Sequence, residues 1–167
     1  MNTYNISVFT ENNIGILNRI TIIFTRRHVN IHSITASECE EDGIYRYTIV
    51  IKNSEEQVIK IVNQIEKLVD VIKAFYYEDK DVVYQELGLY KLPYETFKNQ
   101  KINILLKRND ARIISIDEKF VTLEKTGNPE EIFELFQILK PLGVFEYVKS
   151  GRVAISKPMK TLKEFLT

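Results

Sequence analysis

An α+β architecture, with two βαββαβ units in tandem, is encoded in this chain of 167 residues. The order of hydrophobic periodicities is the first sign of it. Strand, helix, strand, strand, helix, strand follow one another from residue 4 to residue 77, and the same order recurs in different letters from residue 83 to residue 149. The acidic stretch Glu78-Asp79-Lys80-Asp81 separates the halves. Composition is the third sign: 44% hydrophobic residues can build a core, although units of about 80 residues are each marginal alone. This element order is the split βαβ, or ferredoxin-like, pattern.

Residues 4–10, Tyr4-Asn5-Ile6-Ser7-Val8-Phe9-Thr10, alternate apolar and polar, as a half-buried strand does. After the polar loop Glu11-Asn12-Asn13, residues Ile16, Leu17, Ile20, Ile23 and Phe24 recur at helical spacing. Arg26-Arg27-His28 fall in the last turn, where cations suit the helix dipole. Residues 31–38 form a strand, Glu40-Glu41-Asp42-Gly43 a turn, and in 44–52 Tyr45, Tyr47, Ile49 and Ile51 share one strand face. Ser54-Glu55-Glu56-Gln57 spells a capping box, with Ser54 bonding the Gln57 amide and the Gln57 side chain reaching back. The helix it opens carries Val58, Ile61 or Val62, Ile65 and Leu68 on one stripe, and residues 71–77 are a further strand.

In the second half, residues 83–92 are a strand, and Pro93 suits a helix start with Phe97, Ile104 and Leu105 as its apolar stripe. Residues 111–117 and 119–125 form a hairpin around Asp117-Glu118. Asn128-Pro129-Glu130-Glu131 opens a helix, with Asn as cap, Pro first and Glu third. Ile132, Phe133, Leu135, Phe136 and Leu139 make its buried stripe, and Pro141 with Gly143 ends it. Residues 144–149 are the last full strand, 150–155 extend the sheet or form an arm, and 159–166 suit a short helix. The expected organisation is a first domain over 1–78, a linker over 79–83 and a second domain with a terminal arm over 84–167.

Several function classes are disfavoured. Lys+Arg and Asp+Glu number 23 each, so no net field holds nucleic acid or an anionic membrane. No apolar run approaches a membrane span, and Met1-Asn2-Thr3-Tyr4-Asn5 is not a signal peptide, so a cytoplasmic protein is expected. A single cysteine, Cys39, excludes an internal disulfide or a multi-cysteine metal site. Glu40, Glu41 and Asp42 beside it disfavour a thiolate. His28 and His32 are split by Val29-Asn30-Ile31, which breaks the helix that a metal pair needs. Tyr45-Arg46-Tyr47 is a faint echo of an RNA-binding sheet without its Gly-Phe-Gly-Phe-Val signature. No catalytic residue set and no metal site is assembled by these letters.

The most informative stretch is the first strand-to-helix junction, Glu11-Asn12-Asn13-Ile14-Gly15-Ile16-Leu17. A helix N-terminus presents unpaired amides and partial positive charge, which together suit a carboxylate. The amides of Gly15, Ile16 and Leu17 are the candidates, and Gly15 lets an anion come close. Asn12 or Asn13 could cap the helix while the other meets the ligand, and Ile14, Ile16 and Leu17 offer apolar surface. Such a combination describes a receptor for a small branched-chain amino acid; the same letters also describe an ordinary Asn-capped helix. Asn30, just past the helix, either lines the same kind of site or terminates the helix.

Taken together, Glu11-Asn12-x-x-Gly15-x-Leu17-x-Arg19-Ile20 and Phe24-x-Arg26-Arg27-x-x-Asn30-Ile31-x-Ser33-Ile34 resemble the N-terminal ACT domain of the small regulatory subunits of acetohydroxyacid (acetolactate) synthase. The helix ending Ile65-Glu66-Lys67-Leu68-Val69-Asp70-Val71, the strand Glu86-Leu87-x-Leu89-Tyr90-Lys91 and Ser150-Gly151-Arg152-Val153-Ala154-Ile155-Ser156 extend the resemblance over nearly the whole chain. It implies a homodimeric, non-catalytic subunit with no cofactor of its own. Its partner would be a catalytic large subunit that carries thiamine diphosphate, Mg²⁺ and FAD. It further implies activation of that partner and feedback inhibition, in branched-chain amino-acid biosynthesis, by valine or a related effector bound between two ACT domains. The family's effector residues fall on Asn12, Gly15 and Asn30, with backbone at Ile16, Leu17 and Ile31, and Asn30 and Ile31 would come from the neighbouring copy. Ile14 stands where a small residue or Pro is common, His28 where a Gly is, and His32 where an acid is. These departures leave open which branched-chain amino acid acts. A free-standing ACT-type amino-acid sensor is the alternative.

Overall fold

The computed structural model describes residues 1–98, 101–157 and 164. The chain divides into two compact units, residues 1–84 together with the chain from Arg152 onward, and residues 85–151. The short helix expected over 159–166 lies, Glu164 aside, outside the described residues.

The first unit runs β1 (Asn2–Glu11), α1 (Ile16–Arg26), β2 (Ile31–Glu38), β3 (Ile44–Asn53), α2 (Glu55–Ile65) and β4 (Val71–Glu78). The antiparallel sheet has the order β2-β3-β1-β4. Tyr4, Ile6 and Val8 of β1 and Tyr47, Ile49 and Ile51 of β3 pack with Ile16, Ile20, Ile23 and Phe24 of α1 and Val58, Ile61, Val62 and Ile65 of α2. Each fully buried Ile in that set contributes about 1.5–3 kcal/mol. Both helices therefore cover one face of the sheet, as their 3–4-residue apolar spacing requires.

Three local details depart from the sequence reading or were invisible to it, and a fourth, the tight turn at His28, is as expected of a residue in a glycine's place. β1 is buried on both faces: Asn5, Ser7 and Phe9 are as hidden as Ile6 and Val8, because residues 46, 75 and 152 cover the second face. The capping box at Ser54 does not form. The Asn53 side chain takes the Ser54 amide (2.8 Å), and the Gln57 amide donates to the Ser54 carbonyl (3.1 Å) instead of the hydroxyl. α1 ends with His28 at φ 53°. The Val29 amide there reaches back to the Phe24 carbonyl at 3.0 Å, the Schellman closure of a helix. The register of β2 on β3 shifts between Ile31 and Ser33, which puts both Ile31 and Ile34 against the core despite their odd spacing.

After a 3-10 turn, Asp79–Asp81, β5 (Val82–Pro93) leads into the second unit. There follow a 3-10 turn (Tyr94–Lys98), α3 (Lys101–Arg108), β6 (Arg112–Ile116), β7 (Phe120–Gly127), α4 (Pro129–Leu139) and β8 (Glu146–Lys149). The sheet order β6-β7-β5-β8 repeats that of the first unit. The last described strand, β9 (Val153–Ser156), pairs with β5. Asn128 caps α4 as its letters imply, with reciprocal bonds to the Glu131 amide (2.8 Å) and from the Asn128 amide to the Glu131 carboxylate (2.9 Å). The Asp117 carboxylate closes the β6–β7 hairpin by accepting from the amides of Lys119 and Phe120.

Three assignments in this unit are corrected. Pro93 ends a strand instead of starting a helix. Phe97 and Leu105 pack half-buried on the core as expected, but Ile102 and Leu106 are the buried pair on α3 and Ile104 is exposed: packing against β5 and β7, not the weak apolar content, sets the helix phase. Phe133 of α4 is likewise half exposed, leaving Ile132, Leu135 and Leu139 as the buried line.

Gly88 of β5 marks the closest approach of sheet to helix. A methyl group there would lie 2.7 Å from both Ile132 Cγ2 and Tyr90 Oη. Neither neighbour gives way easily, since Tyr90 donates to the Ile132 carbonyl at 2.7 Å and both side chains are fully buried. Burial also pushes the Tyr90 hydroxyl well above its ordinary pKa, so it stays a donor at any physiological pH. Gly88→Ala is expected to destabilise the chain by about 1–3 kcal/mol through overpacking, read as a lowered urea midpoint; an unchanged midpoint would show that α4 moves freely off the strand.

Candidate functional site

The turn between β1 and α1 gathers the candidate residues of the first junction. Gly15 is the N-cap of α1 at φ 85°, ψ −1°, with no side-chain cap. Only a residue without Cβ strain holds that left-handed conformation at little cost. A Cβ built there meets nothing within 4 Å, so the glycine serves conformation and approach, not internal packing. The Gly15 carbonyl accepts the first helical bond, from the Arg19 amide at 3.1 Å.

Neither asparagine caps the helix. Asn13 turns its side chain away, donating to the Asp70 carboxylate at 2.8 Å and to Glu11 at 3.2 Å. Asp70 also pairs with Arg19 and offers its carbonyl to the Glu11 amide at 3.1 Å. One residue at the α2–β4 junction thus holds both ends of the turn. Asn12 is exposed, and its side chain has no hydrogen bond among the described residues. Sequence reasoning did not assign that role to Asp70. The signal available was only a carboxylate between Leu68-Val69 and Val71, and its partners lie more than fifty positions away.

The three candidate amides are not equivalent. The Ile16 amide donates to the Asn13 carbonyl at 3.2 Å, and its side chain is buried in the core, so Ile16 adds neither a free amide nor apolar surface to the exposed turn. The amides of Gly15 and Leu17 have no partner among the described residues. Ile14 stands fully exposed beside them, and Leu17 is 45% exposed. Partial positive charge at a helix start, two open amides and two exposed aliphatic side chains are a chemically sound cradle for a small carboxylate with an apolar side chain.

Asn30 and Ile31 lie elsewhere. They follow the C-terminal end of α1 and begin β2, the outer strand of the sheet. Asn30 is exposed, while the Ile31 side chain packs on the core, which leaves only its backbone to offer. The 11 residues of α1, at 1.5 Å each, separate this pair from the Gly15 turn by about 16 Å along the helix. One copy of the chain therefore does not bring the two halves of the candidate set together.

Among the described residues no helix is long and apolar enough to cross a membrane. Comparison with known proteins gives matches in both halves. The family described as "AHAS small subunit-like ACT domain" matches residues 6–73, and that described as "Small subunit of acetolactate synthase" matches residues 85–158. The acetolactate synthase small subunit of Mycolicibacterium smegmatis is 31% identical over 155 residues, covering 93% of this chain and 91% of that protein. The corresponding Bacillus subtilis protein is 31% identical over 153 residues, covering 91% and 89%. A crystal structure of the Thermotoga maritima acetolactate synthase small subunit superposes with a TM-score of 0.85 at 26% identity, covering 96% of this chain and all of that one.

Proposed function

The chain belongs to the family of acetolactate synthase small subunits, and from that premise we propose that it is a non-catalytic subunit that activates a catalytic large subunit and makes it sensitive to a branched-chain amino acid. The large subunit would carry the thiamine diphosphate, Mg²⁺ and FAD. The single observation that carries the effector reading is the exposed Gly15 turn, with its two open amides at the positive end of α1. On this reading the effector carboxylate meets the Gly15 and Leu17 amides, Asn12 meets its charged end, and Ile14 and Leu17 meet its aliphatic side chain.

A second copy completes the site. Asn30 and Ile31 sit at the opposite end of α1 from Gly15, so a neighbour related by a twofold axis is the natural source of that half. β2 supports this, because it is the edge of its sheet and presents one row of backbone groups that no strand of the described residues pairs. Regulation then follows from linkage. The effector binds one arrangement of the paired domains better than another, the large subunit also distinguishes them, and the coupling cannot exceed the effector's differential affinity.

Reconstitution tests the proposal. The chain mixed with the organism's large subunit is expected to co-elute with it and to raise turnover. Valine, leucine or isoleucine is then expected to lower that turnover, with a coupling of about 1–3 kcal/mol, or roughly 5–150-fold in affinity. Elution alone with an unchanged turnover, but with retained amino-acid binding, would favour the free-standing sensor.

A further inference from the structure

Two guanidinium groups lace the last described segment of the chain to the sheet of the first unit. The chain leaves that unit after Tyr84 and returns to it at Arg152. Arg152 is only 5% exposed. Its Nη1 donates to Asn5 Oδ1 at 3.0 Å and to Asp79 Oδ1 at 2.7 Å, and its guanidinium carbon stands 3.6 Å from the Tyr84 ring centre. Asn5 closes the set by donating to the same Asp79 oxygen at 2.7 Å. Further along, the Ala154 carbonyl accepts from Arg46 Nη2 at 2.7 Å, and that nitrogen also donates to Ser7 Oγ at 3.2 Å. One cation reaches from the returning segment to β1, and the other reaches from β3 to the returning segment.

Apolar packing adds little to this attachment. Ala154 is the one buried apolar residue of β9, and Val153 and Ile155 are 63% and 66% exposed. Buried ionic contacts are a weak source of net stability, but they hold one geometry, because a guanidinium that slips from its acceptors leaves a buried charge unpaired. Both laces reach β1, at Asn5 and Ser7, and β1 runs on to Glu11 beside the Gly15 turn. Ser7 and Glu11 are about 13 Å apart along that strand, which is paired on both sides, by β3 and β4. We propose that Arg152 is a positioning residue for effector inhibition: it holds the returning segment to β1, so that occupancy of the Gly15 turn is passed on to the turnover of the large subunit. This role rests on the effector reading above and adds to it a residue that lies outside the cradle.

The test uses the full chain reconstituted with the large subunit, and whichever of valine, leucine and isoleucine inhibits the unaltered pair most. Arg152→Met keeps length and bulk without the charge, and Arg152→Lys keeps the charge. For Arg152→Met, co-elution and stimulated turnover are expected to persist. Calorimetry on the chain alone is expected to give an effector affinity within roughly twofold of the unaltered chain. The fraction of turnover lost at saturating effector is expected to fall by roughly fivefold or more, the low end of a typical coupling. Arg152→Lys is expected to lie between the two. Asp79→Asn weakens the same contact from its other side, so it is expected to reduce inhibition too, and the Asp79→Asn/Arg152→Met pair to be no worse than Arg152→Met alone. Should Arg152→Met not fold, Arg152→Lys and Asp79→Asn make the same comparison. Full inhibition in these variants, or a loss of inhibition that only follows a lost effector affinity, would overturn the proposal. An unaltered pair that none of the three amino acids inhibits would overturn the effector reading itself, and the role of Arg152 with it.

Discussion

Gly15→Asp is expected to abolish inhibition by the effector while leaving the stimulated turnover of the reconstituted enzyme close to that of the unaltered pair. Two effects act together. The turn demands φ 85°, which a residue with a Cβ adopts at a cost of about 1 kcal/mol, Asp and Asn being among the more tolerant. The larger effect is electrostatic: a carboxylate would sit where the open amides and the helix dipole otherwise meet the effector's own carboxylate. Nothing lies within 4 Å of the new Cβ, so the fold has no internal clash to absorb. Gly15→Asn separates charge from bulk, because it adds nearly the same volume without the charge. The expected ranking of effector affinity is Gly above Asn, and Asn above Asp, with Asp at least tenfold below Gly, or about 1.4 kcal/mol. Calorimetry that finds valine, leucine and isoleucine each bound as before by the Asp variant would remove the Gly15 turn from the effector site.

Ile20→Ala is expected to lower the stability of the chain by about 3–4 kcal/mol, within the range for deleting a large aliphatic group from a tight core. Ile20 is 0% exposed in the middle of α1 and packs among Phe24, β1 and α2. α1 has only 11 residues, too few to persist without tertiary support. A loss of that size is a large share of the roughly 5–15 kcal/mol that holds a typical domain together. The same helix presents Gly15 at one end and leads to Asn30 at the other, so effector affinity is expected to fall with stability. Ile14→Ala is the matched control. It removes a fully exposed side chain of the same kind, so its stability should change by no more than about 0.5 kcal/mol. Urea midpoints of the two variants check the pair, and equal midpoints would show that α1 contributes little to the fold.

Much of the architecture was legible because the relevant forces are local. Alternation in residues 4–10, the 3–4 spacing of Ile16, Ile20, Ile23 and Phe24, and the Asn128-Pro129-Glu130-Glu131 start each act within one or two turns of chain. At the Gly15 turn the letters showed a glycine at a helix entrance, but not that Gly15 itself is the N-cap in a left-handed conformation in place of Asn12 or Asn13. His28 shows the limit of such rules, since it adopts φ 53° where a glycine is the easier choice. Where the local signal was weak or ambiguous the reading slipped. The sparse apolar content of α3 did not fix its phase, and Ser54 lost its capping box because Asn53, one residue earlier, reached the Ser54 amide first.

The chain's letters alone settled the order of elements, the two-unit α+β class, the glycine at the entrance to α1 and the family resemblance, because each depends on neighbours close in sequence. Packing between distant segments decided the rest. Asp70 fastens a turn that lies more than fifty residues upstream, β1 is hidden on both sides, and Arg46 meets Ala154 across 108 positions. Such pairings depend on which faces meet once the sheets have formed, and periodicity within a single segment carries no information about its partner.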